Sequence, residues 1–197
     1  MKLIFKTLLF TLLISAHAHA QQALPTEFTD LLKRNKMKFE FPSLYKIVPT
    51  VDNPHMNTDL AIEFPLEEME VRYAIHPLDN YIKEYKAYKK RKNPNESMAD
   101  PNILARPFLT ASILNISGEF VDYQEFPATS VKNEFNADWG ATTMVIARPE
   151  FGQQYKYCLI IALHKDNVGD AYIFFLAKDN EVISRNLMTA FHSLKFK

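Results

Sequence analysis

The segment Tyr155–Asp179, YKYCLIIALHKDNVGDAYIFFLAKD, predicts the centre of the fold. It contains two apolar runs, Tyr155–Leu163 and Ala171–Ala177, which are separated by the polar sequence His164–Asp170. Side chains alternate between the two faces of a strand, and both runs are apolar at odd and even positions, so both faces of each strand should be covered. Gly169 tolerates positive φ, and the link is too short for a helical crossover. The stretch therefore predicts a buried antiparallel hairpin.

The rest of the chain predicts an α+β fold around this hairpin. Because strands that are apolar on both faces must be covered twice, we expect a largely antiparallel β-sheet with helices on both faces. A length of 177 residues after a leader fits a single domain from Gln21 to Lys197. Further predicted strands are 39–48, 59–64, 69–75, 121–126 and 141–147, and predicted helices are 27–37, 78–92, 101–117 and 181–192, with 127–135 ambiguous.

Individual residues suggest where the helices begin and end. Thr26 precedes the first helix and has the hydroxyl that is typical of an N-cap. The third helix should begin at Asp100–Pro101, and Pro107 should kink or split it. Gly118 should end this helix, and Asp179 should cap the last one.

The predicted strand pair 59–64 and 69–75 differs from the central hairpin. Val71, Tyr73 and Ile75 alternate with Glu70, Arg72 and Ala74. Since alternate residues of a strand face opposite sides, this pattern predicts that the pair has one more polar face.

The first twenty residues, MKLIFKTLLFTLLISAHAHA, have the pattern of a secretory signal peptide. Lys2 and Lys6 form a basic start, 7–14 is mostly apolar, and Ala18-His19-Ala20 is a small-x-small cleavage site before Gln21. The segment is too short to span a membrane, and we predict no transmembrane segment elsewhere. The sequence therefore predicts an exported protein, periplasmic or secreted after cleavage.

Charge and cysteine content exclude some classes of protein. The full chain has 23 basic and 23 acidic residues, and cleavage would remove only Lys2 and Lys6, so no overall charge favours nucleic acid. The single cysteine, Cys158, excludes an internal disulfide, and its position in an apolar strand predicts a packing role. An exported domain without disulfides suits a bacterial periplasm.

The turn His164–Asp170 holds the densest polar chemistry beside the buried strands. Asp166, Asn167 and Asp170 offer oxygen atoms of the kind that bind Ca²⁺, and His164 is a candidate acid or base. The spacing does not match the twelve-residue Ca²⁺ loop, which closes with a bidentate glutamate. The alternative is a polar hairpin tip without further function.

The loop 136–140, NADWG, contains the only tryptophan, Trp139, next to Asp138. An aromatic ring beside a carboxylate in a loop suits ligand stacking. The alternative is that Trp139 anchors the loop in the core while Asp138 caps a turn.

The predicted helix 78–92 is strongly basic. Its tyrosines, Tyr81, Tyr85 and Tyr88, share an apolar stripe and should pack inward. Its other faces would suit an acidic partner, anionic lipid or nucleic acid, although export makes nucleic acid unlikely. The alternative is a solvated helix face. The cationic residues are Lys83, Lys86, Lys89, Lys90, Arg91 and Lys92.

The sequence lacks the motifs of several classes of enzyme. It contains no GxSxG, HExxH, P-loop or GxGxxG motif. The histidines after the leader, His55, His76, His164 and His192, lack the spacing of a metal site. We therefore predict no catalytic residue, no metal and no cofactor.

The chain resembles the PsbP/Mog-like α/β/α sandwich over about Lys36–Lys197. The resemblance is carried by Phe39-x-Phe41-Pro42, by the order of hairpins and helices, and by the ending FHSLKF at 191–196. NADWG at 136–140, YKYC at 155–158 and HKDN at 164–167 also resemble a family of uncharacterised exported proteins of Bacteroides-type bacteria. Members of the wider fold are mostly adaptors or accessory subunits, which implies a binding role.

These observations favour an exported, non-catalytic protein that binds a protein or an envelope component. The alternative is a small-ligand-binding protein or enzyme with a site formed by Asp138, Trp139 and the turn His164–Asp170. A third hypothesis is surface association through the basic helix. The sequence leaves the oligomeric state open.

Overall fold

The computed structural model describes residues 23–53, 56–91, 93 and 95–197. The predicted signal peptide lies outside the described residues, as do Pro54, His55, Lys92 and Pro94. Among the helices that are described, none has both the length and the apolar character needed to cross a bilayer.

Within these ranges the chain forms nine strands, six α-helices and two 3-10 helices, so the predicted α+β class is confirmed. The strands are β1 (Met37–Phe39), β2 (Lys46–Val48), β3 (Leu60–Phe64), β4 (Met69–Pro77), β5 (Gln124–Glu125), β6 (Trp139–Ile146), β7 (Tyr157–Lys165), β8 (Gly169–Ala177) and β9 (Leu194–Phe196). The α-helices are α1 (Thr26–Arg34), α2 (Asp79–Arg91), α3 (Ala105–Ser117), α4 (Ala128–Phe135), α5 (Pro149–Gly152) and α6 (Asn180–Asn186), and the 3-10 helices are Pro101–Ile103 and Leu187–Thr189.

Seven strands form one antiparallel sheet in the order β2-β3-β4-β8-β7-β6-β5. The predicted hairpin of β7 and β8 is confirmed, with Tyr157 opposite Ala177 and Lys165 opposite Gly169. β4 pairs with β8 over its full length, from Met69 opposite Ala177 to Pro77 opposite Gly169. The sheet is therefore built around three long strands, β4, β8 and β7.

The buried side chains form two apolar clusters that β8 separates. Ile173 and Phe175 belong to the first cluster, which also contains residues of α1, α4 and α6. Tyr172 and Phe174 belong to the second, which also contains residues of α3 and α5. Because alternate residues of a strand face opposite sides, β8 is buried on both faces and is apolar on both from Ala171 to Ala177.

A separate ribbon joins the beginning and the end of the described chain. β1 pairs with β9, with Met37 opposite Phe196, and the N–H of Lys197 donates to the carbonyl of Lys36. The hydroxyls of Tyr73 and Ser193 are 2.8 Å apart and connect the ribbon to the main sheet. The predicted extended segment 39–48 is therefore wrong as one strand, because β1 and β2 belong to different sheets.

The more polar face predicted for β3 and β4 carries the half-buried Glu63 and Glu70, but this face is covered at Arg72. Arg72 and Ala74 are 1% and 0% exposed, so β4 is covered on both sides. The guanidinium of Arg72 lies 5.2 Å from the ring centroid of Phe151 in α5 and donates to the Phe151 carbonyl. A polar residue at an alternating position is buried here because a distant helix supplies its partner.

The helix boundaries follow the sequence with small shifts. Pro25, not Thr26, occupies the N-cap position of α1, and no side chain caps this helix. The third predicted helix is split at Leu104, and Pro107 lies in the first turn of α3, where no N–H donor is needed. Gly118, with φ of 84°, ends α3 as predicted.

The last helix is shorter than predicted. α6 ends at Asn186, and a 3-10 helix then continues to Thr189. Asp179 caps α6 as predicted, because its carboxylate accepts a hydrogen bond from the N–H of Glu181 at 3.0 Å.

The close approach at Gly169 gives a stability prediction. A Cβ at this position would lie 2.4 Å from Asn35 Oδ1 and 2.7 Å from the carbonyl oxygen of His76. We expect Gly169→Ala to lower the free energy of unfolding by about 1–2 kcal/mol in urea denaturation, because the main chain of β4 must move. Gly140→Ala is the milder control, since its nearest atom would be 3.1 Å away. Equal stability of Gly169→Ala and wild type would contradict this prediction.

Candidate functional site

The two predicted loop sites lie at the same end of the sheet. Trp139 in β6 is opposite His164 in β7. The N–H of Asp138 donates to the carbonyl of His164 at 2.8 Å, and Asp138 Oδ2 accepts from the N–H of Asp166 at 3.0 Å. The sheet register therefore brings together residues that are more than twenty positions apart in sequence.

His164 is bonded at both ring nitrogens. Nδ1 is 2.6 Å from Asp170 Oδ1, and Nε2 is 3.1 Å from Asp166 Oδ1. Burial acts to lower the pKa of His164, but Asp170 and Asp166 outweigh it, and the pKa is raised above its usual value. A protonated ring donates to both carboxylates, so His164 connects the two ends of the turn and has no free nitrogen to offer a ligand.

Asp138 is also held by the protein itself. Lys132 Nζ lies 3.1 Å from Asp138 Oδ1, while the other carboxylate oxygen accepts from Asp166. Burial opposes ionisation of Asp138, but the N–H of Asp166 and the charge of Lys132 lower its pKa. Both oxygens of this carboxylate are therefore occupied.

Trp139 is the first residue of β6, so its predicted place in a loop is wrong. Its half-buried ring makes an edge contact with Tyr123, with centroids 6.2 Å apart, and the guanidinium carbon of Arg106 lies 5.1 Å from its centroid. Arg106 also donates twice to Glu125 of β5, at 2.7 and 3.0 Å. These contacts support the anchoring role that the sequence left as an alternative.

The basic helix α2 differs, because most of its cations have no ion-pair partner among the described residues, although Lys89 Nζ lies 5.4 Å from the ring centroid of Tyr85. Lys83, Lys86, Lys89 and Lys90 are exposed, and the described residues place no carboxylate within ion-pair distance of them. Arg91 pairs with Glu96 at 2.9 Å. The exposed face of α2 therefore presents four positive charges that the described protein does not neutralise.

A cleft of about 390 Å³ lies beside these lysines, between α2 and the segment Asp100–Asn102. Buried Ile82 and Pro101 line it together with the half-buried ring of Tyr85. We call this cleft and its lysines the α2 cleft. Its lining residues are Ile82, Tyr85, Lys86, Lys89, Lys90, Asp100, Pro101, Asn102 and Asn167.

Side chain to main chain bonds fix the far wall of the α2 cleft. Asp100 Oδ1 accepts from the N–H of Asn102, and Asn102 Oδ1 accepts from the N–H of Asn167, both at 2.9 Å. The wall is thereby connected to the β7–β8 turn that holds His164. The sequence at Asp100–Pro101 predicts only the start of a helix, whereas the wall forms through contacts between segments that are distant in sequence.

The tyrosines of α2 are half-buried and hold the neighbouring segment 96–100. The hydroxyl of Tyr81 donates to the carbonyl of Ala99 at 3.3 Å, and that of Tyr88 donates to the carbonyl of Glu96 at 3.3 Å. The Tyr85 hydroxyl lies 3.4 Å from Asp100 Oδ2. The tyrosines therefore pack against the protein, as predicted, and position the wall of the α2 cleft.

The described part of the chain contains no group of three or more His, Cys, Asp or Glu side chains that could hold a metal ion. A scan against known protein families found no match, and a search of curated proteins found no similar sequence.

Proposed function

We propose that this protein is a non-catalytic exported binding protein whose α2 cleft recognises an acidic segment of a protein partner. The observation that carries the proposal is the row of lysines without a carboxylate partner beside an apolar-lined cleft. A cationic rim steers an acidic partner, and a cleft that takes an apolar side chain adds short-range binding energy.

The position of the charges supports a role beyond helix stability. Cations in the last turn of a helix stabilise its dipole, which accounts for Lys89, Lys90 and Arg91. Lys83 and Lys86 lie before the last turn and gain little from the dipole. Exposed like charges on one helix repel each other, so their clustering is explained best by an anionic partner.

A protein segment fits this surface better than a membrane. Helices that bind membranes insert large apolar side chains such as Trp, Phe or Leu into the bilayer. The large apolar residues of α2 face the protein, and its exposed residues include only Ala87 among the apolar types. A concave site also suits a single inserted side chain, whereas a flat bilayer does not need one.

The same proposal includes the fold and the location of the protein. We propose a PsbP/Mog-like α/β/α sandwich, because the two apolar clusters contain residues of different helices. The signal-peptide pattern supports export, with residues 21–197 as the mature periplasmic or secreted domain. In the resembled fold most members are adaptors or accessory subunits, which agrees with a binding role.

The alternative site at Asp138, Trp139, His164, Asp166 and Asp170 remains a prediction with less support. These side chains lie together, but His164 and Asp138 are bonded within the protein and Arg106 covers one face of Trp139. No observation at this end of the sheet favours turnover, and we do not propose a reaction.

The test compares two triple variants of residues 21–197 with the same change in net charge. Lys86→Glu/Lys89→Glu/Lys90→Glu reverses the rim of the α2 cleft. We expect it to weaken binding of a labelled glutamate-rich peptide that contains one leucine at least about tenfold, or about 1.4 kcal/mol, in fluorescence anisotropy. The control, Lys46→Glu/Lys156→Glu/Lys178→Glu, reverses exposed lysines outside the cleft and should bind nearly as wild type.

Equal weakening by both triple variants would show a general charge effect and would contradict the proposal. Binding to vesicles of anionic lipid that exceeds binding to the peptide would also contradict it, because it would make a membrane the partner. Salt should weaken the peptide complex, since exposed charges are screened.

A further inference from the structure

The turn between β3 and β4 combines an exposed apolar side chain with carboxylates, which is the combination that we propose the α2 cleft binds. Leu66 is 82% exposed, the most exposed of the large apolar side chains in the described chain. Glu67 and Glu68 follow it directly, and Glu63 lies on the adjoining strand. We call Glu63–Glu68 the acidic turn.

The carboxylates of the acidic turn are not neutralised by neighbours. The described residues place no cationic group within ion-pair distance of Glu63, Glu67 or Glu68, although Lys178 lines the same hollow. Glu70 differs, because it pairs with the buried Arg72 at 2.5 Å. The acidic turn therefore presents the exposed Leu66 and Glu68, while Glu63 and Glu67 are half-buried and Glu67 Oε2 is buried without a hydrogen-bond partner.

The acidic turn and the α2 cleft lie at opposite ends of β4. The turn ends at Glu68, directly before β4, and α2 begins at Asp79, after the single residue Leu78. Nine residues of an extended strand span about 30 Å. One copy of the protein therefore cannot fill its own cleft with its own turn.

We propose that the acidic turn of one copy docks in the α2 cleft of a second copy. Leu66 would enter the apolar lining, and the carboxylates would face Lys86, Lys89 and Lys90. This inference rests on the proposed function and names the partner as the same chain. Because the two surfaces differ, docking is either reciprocal across a two-fold axis, which gives a closed dimer, or heterologous, which gives rings or open head-to-tail chains.

Charge argues against the simplest alternative pairing. A two-fold axis that passed through either surface would place one α2 cleft against another, or one acidic turn against another. Either arrangement brings like charges together, which costs free energy. Only the pairing of turn with cleft joins opposite charges and gives Leu66 an apolar environment.

Sedimentation velocity of residues 21–197 over a protein concentration series tests the proposal. We expect the weight-average mass to rise with concentration at about 0.01 M salt and to return to that of the monomer at about 1 M salt, where the Debye length falls from about 30 Å to about 3 Å. Two variants should each abolish this rise: the triple reversal Lys86→Glu/Lys89→Glu/Lys90→Glu, and the turn variant Glu67→Lys/Glu68→Lys.

Mixing the two variants provides the decisive measurement. The first carries an acidic helix and an acidic turn, and the second carries a basic helix and a basic turn, so an equimolar mixture should associate although neither variant does alone. A mixture that stays monomeric, or association that survives either substitution, would overturn the inference. Circular dichroism and the Tm of each variant verify that it is folded.

The outcome also separates this inference from the proposed function. If wild type stays monomeric at every concentration but binds the glutamate-rich peptide, the second copy is not the partner and the proposed function stands. If wild type binds neither peptide nor itself, both fail. A labelled peptide of residues 62–70 should bind wild type and lose at least about tenfold in affinity with the α2 triple variant.

Discussion

Glu70→Ala is expected to lower the free energy of unfolding by about 3–5 kcal/mol, although it removes a single, partly exposed carboxylate. Its partner Arg72 is 1% exposed and lies 2.5 Å from it. Without Glu70, a guanidinium would remain buried with no counter-charge, and one of its nitrogens, Nη2, already has no partner. Such a charge cannot be neutralised by losing its proton, because arginine stays protonated in proteins.

A double-mutant cycle measures the coupling free energy between Arg72 and Glu70. Arg72→Met should also destabilise the protein, since it leaves Glu70 and the carbonyl of Phe151 without their donor. We expect Arg72→Met/Glu70→Ala to cost clearly less than the sum of the two single changes, because no unpaired charge stays buried. Urea unfolding of the four proteins gives the coupling free energy.

Glu63→Ala is the matched control for this cycle. Glu63 lies directly opposite Glu70 on β3, and like charges at opposite positions destabilise a sheet. Its removal should change stability by no more than about 1 kcal/mol and should not be destabilising. A cost of Glu70→Ala no larger than that of Glu63→Ala would refute the importance of the buried pair.

Asp170→Ala is expected to cost about 2–3 kcal/mol below neutral pH, because it removes a hydrogen bond to a charged, buried histidine. His164 and Asp170 are 2% and 3% exposed. The loss is smaller than at Arg72, since His164 can release its proton when its partner is absent.

The pair also predicts how wild-type stability depends on pH. Asp170 and Asp166 raise the pKa of His164 in the folded protein above the ordinary value of about 6.5. The stabilisation is then complete below the unfolded pKa and is lost as the pH rises through the raised folded pKa. Urea unfolding should show wild-type stability falling above about pH 6.5, and Asp170→Ala should flatten this dependence.

Control variants test whether other ionisable groups near His164 contribute to the pH dependence of stability. Asp166 is more than half exposed, so Asp166→Asn should cost less than about 1 kcal/mol and keep most of the pH dependence. His76 is opposite Asp170 on the β4 side, and His76→Gln tests whether it contributes to the titration. A wild-type profile without slope above pH 6.5, or an NMR titration of His164 with an ordinary pKa, would show that the pair is not a charged contact.

The sequence predicts the centre of this fold well. The hairpin of β7 and β8 is readable because both strands are apolar on both faces and a short turn connects them. The burial of Arg72, in contrast, cannot be predicted from the sequence pattern of β4. Alternation places Arg72 and Tyr73 on opposite sides of β4, but only the tertiary fold brings Phe151 over the arginine.

The candidate site is predictable where its residues are close in sequence. The lysines of α2 and the cluster of His164, Asp166 and Asp170 each lie within one helix or one turn. The α2 cleft could not be predicted, because Asn102 and Asn167 meet only through the tertiary fold. The sequence NADWG predicts a loop at Trp139, yet pairing with β7 extends the strand to this residue.

The pairing of β4 with β8 has a consequence for the order in which the protein can form. β4 ends at Pro77, but its neighbour β8 begins only at Gly169, so one edge of β4 stays unpaired while about half of the 197 residues are synthesised. Contacts between such distant segments make folding slow, because a long loop must close before they stabilise anything. We therefore expect the nascent chain to fold only after β8 has been made, and to be prone to aggregation before that point.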